Sequence, residues 1–214
     1  MKLPLMRVCF AAAFLVGVAG ARTAAAQELI INGGFDSGDL TGWAFTPTAA
    51  AEPTIAGGVS AFMGSNAFRV NAGSNLSGVE AGGTLSQTIA LVAGQSYQVS
   101  AGKLAIASVN GSPNADGGTI TLSLGGALLH TFDVGLLAAD EVQTDSYSAP
   151  FLALATGPAE FELLFTRPFP NFAVTPAVYH YADGLSVTRL VPEPAAAALA
   201  GIVGIIWLPT RRRA

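Results

Sequence analysis

The chain has 214 residues, 51% of them hydrophobic and 11% charged, with 25 glycines, 12 prolines and one cysteine. High apolar content with little charge excludes a disordered polymer, and a single cysteine cannot form a disulfide within its own chain. Ten Lys and Arg against fourteen Asp and Glu leave a formal charge of −4, a poor footprint for a nucleic-acid backbone.

At the N-terminus, Lys2 and Arg7 precede an apolar run from Val8 to Ala19, and Ala24, Ala25 and Ala26 stand before Gln27. A basic start, a short apolar stretch and small residues at −3 and −1 predict a signal peptide over residues 1–26, with signal peptidase as its partner. About a dozen apolar residues are too few to span a bilayer. Cys9 lies inside this segment with no Leu-x-Gly/Ala before it, so no lipid anchor is expected. The mature chain then lacks cysteine, which suits an oxidising compartment.

Residues 27–190 hold thirteen of the fourteen acids but only four of the ten bases, Arg69, Lys103, Arg167 and Arg189, so this body carries about −9. Such a surface argues against nucleic acid and anionic glycans and is compatible with neutral polysaccharide or divalent cations. Its length suffices for one sizeable core. Leu85, Ile89 and Leu91 share a face opposite Thr84, Ser86 and Thr88. Tyr97, Val99 and Ala101 alternate, then the phase changes to Leu104 and Ile106 across Gly102, which predicts a bulge. Further runs are Ile120-Leu122-Leu124, Phe161-Leu163-Phe165 and Leu185-Val187. Roughly nine to eleven strands broken by turn residues, with no convincing amphipathic helix and no repeat, predict an all-β sandwich.

The body opens on Asn32-Gly-Gly-Phe-Asp-Ser-Gly-Asp-Leu-Thr-Gly-Trp43 and closes on Tyr179-His-Tyr-Ala-Asp-Gly-Leu-Ser-Val-Thr188. With the hairpin-like Leu85–Tyr97 between them, these motifs resemble galactose-binding-like jelly rolls, a group that includes carbohydrate-binding modules. The resemblance implies a jelly-roll β-sandwich. It also implies a structural calcium ion, with Asp36 and Asp183 as its carboxylates and loop carbonyls at Asn32 or Gly34 as further oxygens. The alternative is that both aspartates make only turn hydrogen bonds; Gly184 stands where the family often has a second Asp or Asn. Asp140, Glu141 and Asp145 are expected to form a solvated edge.

Sugar binding requires aromatic faces flanked by hydrogen-bonding groups. Trp43 is expected in the core. Phe169 and Phe172 lie in a loop held by Pro168, Pro170 and Pro176, either outward as a ligand face or packed back on the sandwich. Tyr179 and Tyr181 fall on one face of an extended segment and form the best candidate exposed pair. No Gly-x-Ser-x-Gly, His-Glu-x-x-His or Walker loop is present, His130 and His180 are the only histidines, and no spacing singles out a carboxylate pair for a hydrolase. The expectation is a non-enzymatic protein.

After the body come Val191, Pro192, Glu193 and Pro194, an apolar run from Ala195 to Leu208, and Arg211, Arg212 and Arg213. The prolines discourage helix before Ala195, and the arginines hold the far end on the cytoplasmic side. Fourteen apolar residues rise about 21 Å, short of the roughly 30 Å hydrocarbon core, which suits a temporary transmembrane helix better than a permanent one. These residues resemble the PEP-CTERM sorting signal of Gram-negative bacteria. The resemblance implies processing by an exosortase-like membrane transpeptidase, a transient stay in the inner membrane, and delivery to the cell envelope, surface or extracellular matrix. There the chain is expected to bind exopolysaccharide or, alternatively, to serve as a purely structural surface or biofilm protein.

Overall fold

Eleven strands account for the described residues of this computed structural model, which are 26–48, 57–71, 81–109, 115–167 and 177–190. They are β1 (Gln27–Glu28), β2 (Ala44–Pro47), β3 (Gly57–Phe62), β4 (Ser65–Asn71), β5 (Ala81–Leu91), β6 (Ser96–Val109), β7 (Ala115–Leu124), β8 (Ala127–Leu137), β9 (Val142–Leu152), β10 (Gly157–Arg167) and β11 (Ala177–Arg189). One sheet runs β3-β4-β11-β6-β9, with β1 also paired to β11; the other runs β2-β5-β10-β7-β8. Every pairing is antiparallel. From β5 onward the chain changes sheet at each connection except the β7–β8 hairpin, the wiring of a jelly roll. Residues 1–25 of the expected signal peptide, the loop with Phe169 and Phe172, and Val191 to Pro194 and Arg211 to Arg213 of the expected sorting signal lie outside the described residues.

The alternating runs form the core as their periodicity predicts. Leu85, Ile120, Leu122, Leu124, Phe161, Leu163, Phe165, Val99 and Val187 face inward and are fully buried, because period-two alternation puts each set on one side of its sheet. The predicted phase change is a register shift between Ala101 and Leu104. It turns Leu104 and Ile106 inward, where both are fully buried.

The opening motif closes one end of this core. Asn32 and Phe35 take left-handed backbone angles, φ 55° and 53°, so the chain folds back and drives Phe35 and Trp43 inward. Their rings lie 5.8 Å apart, and Trp43 meets Phe161 edge-on at 5.9 Å. The Trp43 indole N–H donates to the Asn32 carbonyl at 3.1 Å. Gln87, buried on β5, donates to and accepts from the Ile31 backbone at 3.0 and 2.7 Å, standing in for a missing ladder pair. Trp43 is therefore a core plug, as expected.

At another point the interior is polar. His180 is fully buried, and its Nε2–H donates to the Gly117 carbonyl at 2.7 Å. Arg167, also buried, donates from Nε to the Asp116 carbonyl at 2.8 Å.

Candidate functional site

Strand β11 divides its side chains between two environments. Val178, His180 and Ala182 enter the core, whereas Tyr179, Tyr181 and Asp183 occupy the outer face of the β3-β4-β11-β6-β9 sheet. On the neighbouring strands the matching outer positions are small. Ala67 on β4 and Ala105 and Ala107 on β6 are buried beneath a second cluster containing Phe62, Tyr179 and Tyr181. Alanine methyls leave room for rings to lie across the sheet, which a β-branched residue at the same positions would fill.

Phe62, the last residue of β3, stacks on Tyr181 with centroids 3.9 Å apart and planes 14° from parallel. Tyr179 follows at 6.3 Å from Tyr181. The Arg69 guanidinium lies over the Tyr179 ring, 4.9 Å from its centroid, at a distance where the cation meets the ring quadrupole. Burial raises the Tyr181 hydroxyl above its ordinary pKa, and the charge and hydrogen bond of Arg69 oppose that shift. The expectation of an exposed Tyr179–Tyr181 pair therefore needs correction. Tyr181 is only 8% exposed, because Phe62 covers it, and Tyr179 is half-buried. The hydrocarbon surface on this face belongs to Phe62 and Tyr179, with Tyr181 between them.

A shallow cleft of about 400 Å³ lies at the bulge, lined by Met63, Lys103, Thr144, Asp145 and Ser146. Pairing aligns Arg69, Tyr181, Ala105 and Thr144 across β4, β11, β6 and β9, so the cleft and the aromatic cluster share one face. Its hydroxyls and ammonium group are hydrogen-bonding partners for an uncharged or acidic ligand. Asp145 is paired with His130 of β8 at 2.7 Å, and the His130 ring stacks on Tyr147 at 5.2 Å. This bridge joins the edges of the two sheets.

Of the acids expected near calcium, Asp183 accepts hydrogen bonds from the Ser65 hydroxyl at 2.8 Å and from the Gly184 N–H at 2.7 Å. The opening motif does reach β11, where the Leu185 N–H donates to the Gly33 carbonyl at 2.9 Å. Asp36 is exposed and folds back toward Gly34. Asn32 accepts from the Ser37 N–H at 3.4 Å and donates to the Asp39 carbonyl at 3.0 Å. Among the described residues no three His, Cys, Asp or Glu side chains gather as a metal site. The Gly184 contact at Asp183 is local, whereas the Ser65 contact comes from β4. In the other acidic group, Glu141 caps the turn before β9 by accepting from the Ala138 N–H at 2.6 Å.

Sequence reading identified Tyr179 and Tyr181 but missed Phe62 and treated Arg69 and Lys103 only as charges. The available signal was the alternation of Leu104 and Ile106 with Ala105 and Ala107, a strand whose outer face is too small to cover itself.

No family model matches the chain, and no curated protein matches it. Among solved structures it is similar to TmCBM61 in complex with β-1,4-galactotriose, at 14% identity and TM-score 0.45, covering 77% of this chain and 99% of that one. It is also similar to the CBM22-1 xylan-binding domain of Paenibacillus barcinonensis Xyn10C, at 13% identity and TM-score 0.40, covering 80% and 99%. A third is the enzymatically active domain of bacteriophage CBA120 tailspike protein 4, at 12% identity and TM-score 0.42, covering 76% of this chain and 21% of that one.

Proposed function

We propose that this chain is an exported, non-enzymatic surface or extracellular-matrix protein that binds polysaccharide on the outer face of the β3-β4-β11-β6-β9 sheet. One observation carries the binding role. Phe62, Tyr181 and Tyr179 form a contiguous aromatic cluster over an alanine floor, beside a polar cleft. Aromatic rings supply stacking surface for the C–H faces of pyranoses, and adjacent hydroxyls and amines fix orientation. Export and exosortase-like processing rest on residues 1–26 and on the Val191–Pro194, apolar and Arg211–Arg213 pattern. Two of the solved structures named above, TmCBM61 and the CBM22-1 domain, carry sugar-binding descriptions, and sugar binding is taken over here as a proposal.

The test is retention of the purified protein on immobilised polysaccharides, including the matrix of the producing cells, in calcium and in EDTA. Binding is expected and should fall roughly tenfold in Tyr179→Ala, the size expected for losing one aromatic contact. Loss of binding in EDTA with matched loss in Asp36→Asn or Asp183→Asn would support the calcium expectation. A second proposal, a purely structural surface protein, is favoured by the burial of Tyr181 under Phe62, which is how packed aromatics behave. No retention on any glycan would leave that structural role.

A further inference from the structure

The net charge of the body hides how its cations are distributed. Of its four bases, Arg167 is buried at 1% exposure, and Arg189 reaches Gln95 at 3.3 Å, where β11 ends. The other two, Arg69 and Lys103, both project from the outer face that bears the aromatic cluster, since Arg69 pairs across from Tyr181 and Lys103 across from Asp183. Neither makes an ion pair with a carboxylate among the described residues. Asp183, across from Lys103, accepts from Ser65 and Gly184, and Asp145 is paired with His130. Thus an acidic body places two of its four bases on one face, on either side of Tyr181.

We infer that the ligand of this face is an acidic polysaccharide bearing uronate carboxylates, held between Arg69 and Lys103 with its sugar faces against Phe62 and Tyr179. The inference rests on the polysaccharide-binding role proposed above and adds the ligand class. The register separates the Cα atoms of Arg69 and Lys103 by two strand spacings and two residues, about 12 Å, a span that a short oligosaccharide covers with both long side chains reaching inward. Arg69 lies over Tyr179 and hydrogen-bonds Tyr181, and its other guanidinium N–H groups are the donors a carboxylate would meet. Asp183 stands across from Lys103 on the same face; repulsion from the more distant acids acts at longer range. With a Debye length of about 8 Å at physiological ionic strength, it is largely screened while contact pairs persist. The acidic composition that argued against anionic glycans thus describes the average surface and not this face.

The experiment is calorimetry of the full chain with oligogalacturonate and oligomannuronate, each compared with the same oligomer after its carboxyl groups are reduced to alcohols. At least one acidic form is expected to bind ten times or more tightly than its reduced twin. Arg69→Met and Lys103→Met, which keep the aliphatic stems, are expected to erase that difference, and Lys103→Arg to restore it, with circular dichroism confirming the fold of each. Equal affinity for acidic and reduced forms would overturn the inference and leave polysaccharide binding standing. Acidic preference untouched by either substitution would overturn the assignment to this face. No binding to any oligomer, acidic or reduced, would overturn both the inference and the binding role beneath it.

Discussion

His180 is a titratable residue buried completely away from water. Complete burial lowers its pKa to about 4; the hydrogen bond to the Gly117 carbonyl opposes the shift and the nearby Arg167 charge adds to it. The imidazole is therefore neutral at neutral pH, with Nδ1 unpaired in the interior. In the unfolded chain the same ring titrates near 6.5. Between pH 6.5 and about 4 the unfolded state binds a proton that the folded state refuses, so stability is full above this window, falls as pH drops through it and levels off below. The loss amounts to at most about 3 kcal/mol. Urea midpoints measured from pH 7 to pH 4 should show the decline. His180→Gln, whose amide can donate to Gly117 without titrating, should flatten it; an unchanged slope in that variant would remove His180 as the cause.

Glu28 belongs to the next scale, because it fastens one element to another. Strand β1 has two residues, too few to hold by ladder bonds alone. The Glu28 carboxylate accepts from the Val187 N–H at 2.9 Å, from the Ile30 N–H at 2.8 Å and from the hydroxyls of Ser186 and Thr188. Partial burial raises its pKa, but these four donors outweigh burial and leave it below the ordinary value. The stabilisation is present at neutral pH and is lost as pH falls below about 4.5, a lower window than that of His180. Glu28→Gln should cost about 1–3 kcal/mol at pH 7, read as a drop in thermal midpoint, and progressively less as pH falls below the carboxylate range.

The β3–β4 hairpin offers a change in the opposite direction. Its two-residue turn places Met63 at φ 47° and Gly64 at φ 90°. Both central positions of such a turn favour Asn-Gly, and a methionine side chain is poorly suited to the left-handed region. Met63→Asn should stabilise the fold by roughly 0.5–1 kcal/mol, visible as a raised urea midpoint with unchanged slope. Because the hairpin carries Phe62, a firmer turn also holds the ring that covers Tyr181.

Elements were legible in the chain wherever one face meets a core and the other meets water. The inward runs of β5, β6, β7, β10 and β11, and the bulge at Gly102, follow from that contrast. The candidate site was only half legible for the same reason. Alternation told that Tyr179 and Tyr181 share a face but not what lies over it, and Phe62 reaches Tyr181 from a strand far away in sequence. Asp36 and Asp183 were read from a motif, yet Asp183 finds its partner in Ser65 of β4, a contact that pairing register creates and spacing along the chain does not display.

At the scale of the whole molecule, the proposed processing would change the charge. Residues 1–26 and 191–214 contain six of the ten bases and only one acid, Glu193, whereas the body is left near −9. The full chain has an isoelectric point near 5.0. Removal of both ends, as the signal-peptide and sorting motifs imply, would strip most of the positive charge and move the mature protein to a more acidic isoelectric point. Loss of the signal peptide alone removes Lys2, Arg7 and Arg22 but keeps Arg211, Arg212 and Arg213, so two cuts and one cut differ in charge as well as in mass. Isoelectric focusing followed by intact mass, on protein from the producing cells, should show the more acidic species ending near Pro194. A mature species that still contains Ala195 to Ala214 would refute exosortase-like processing and identify the apolar run as a retained anchor.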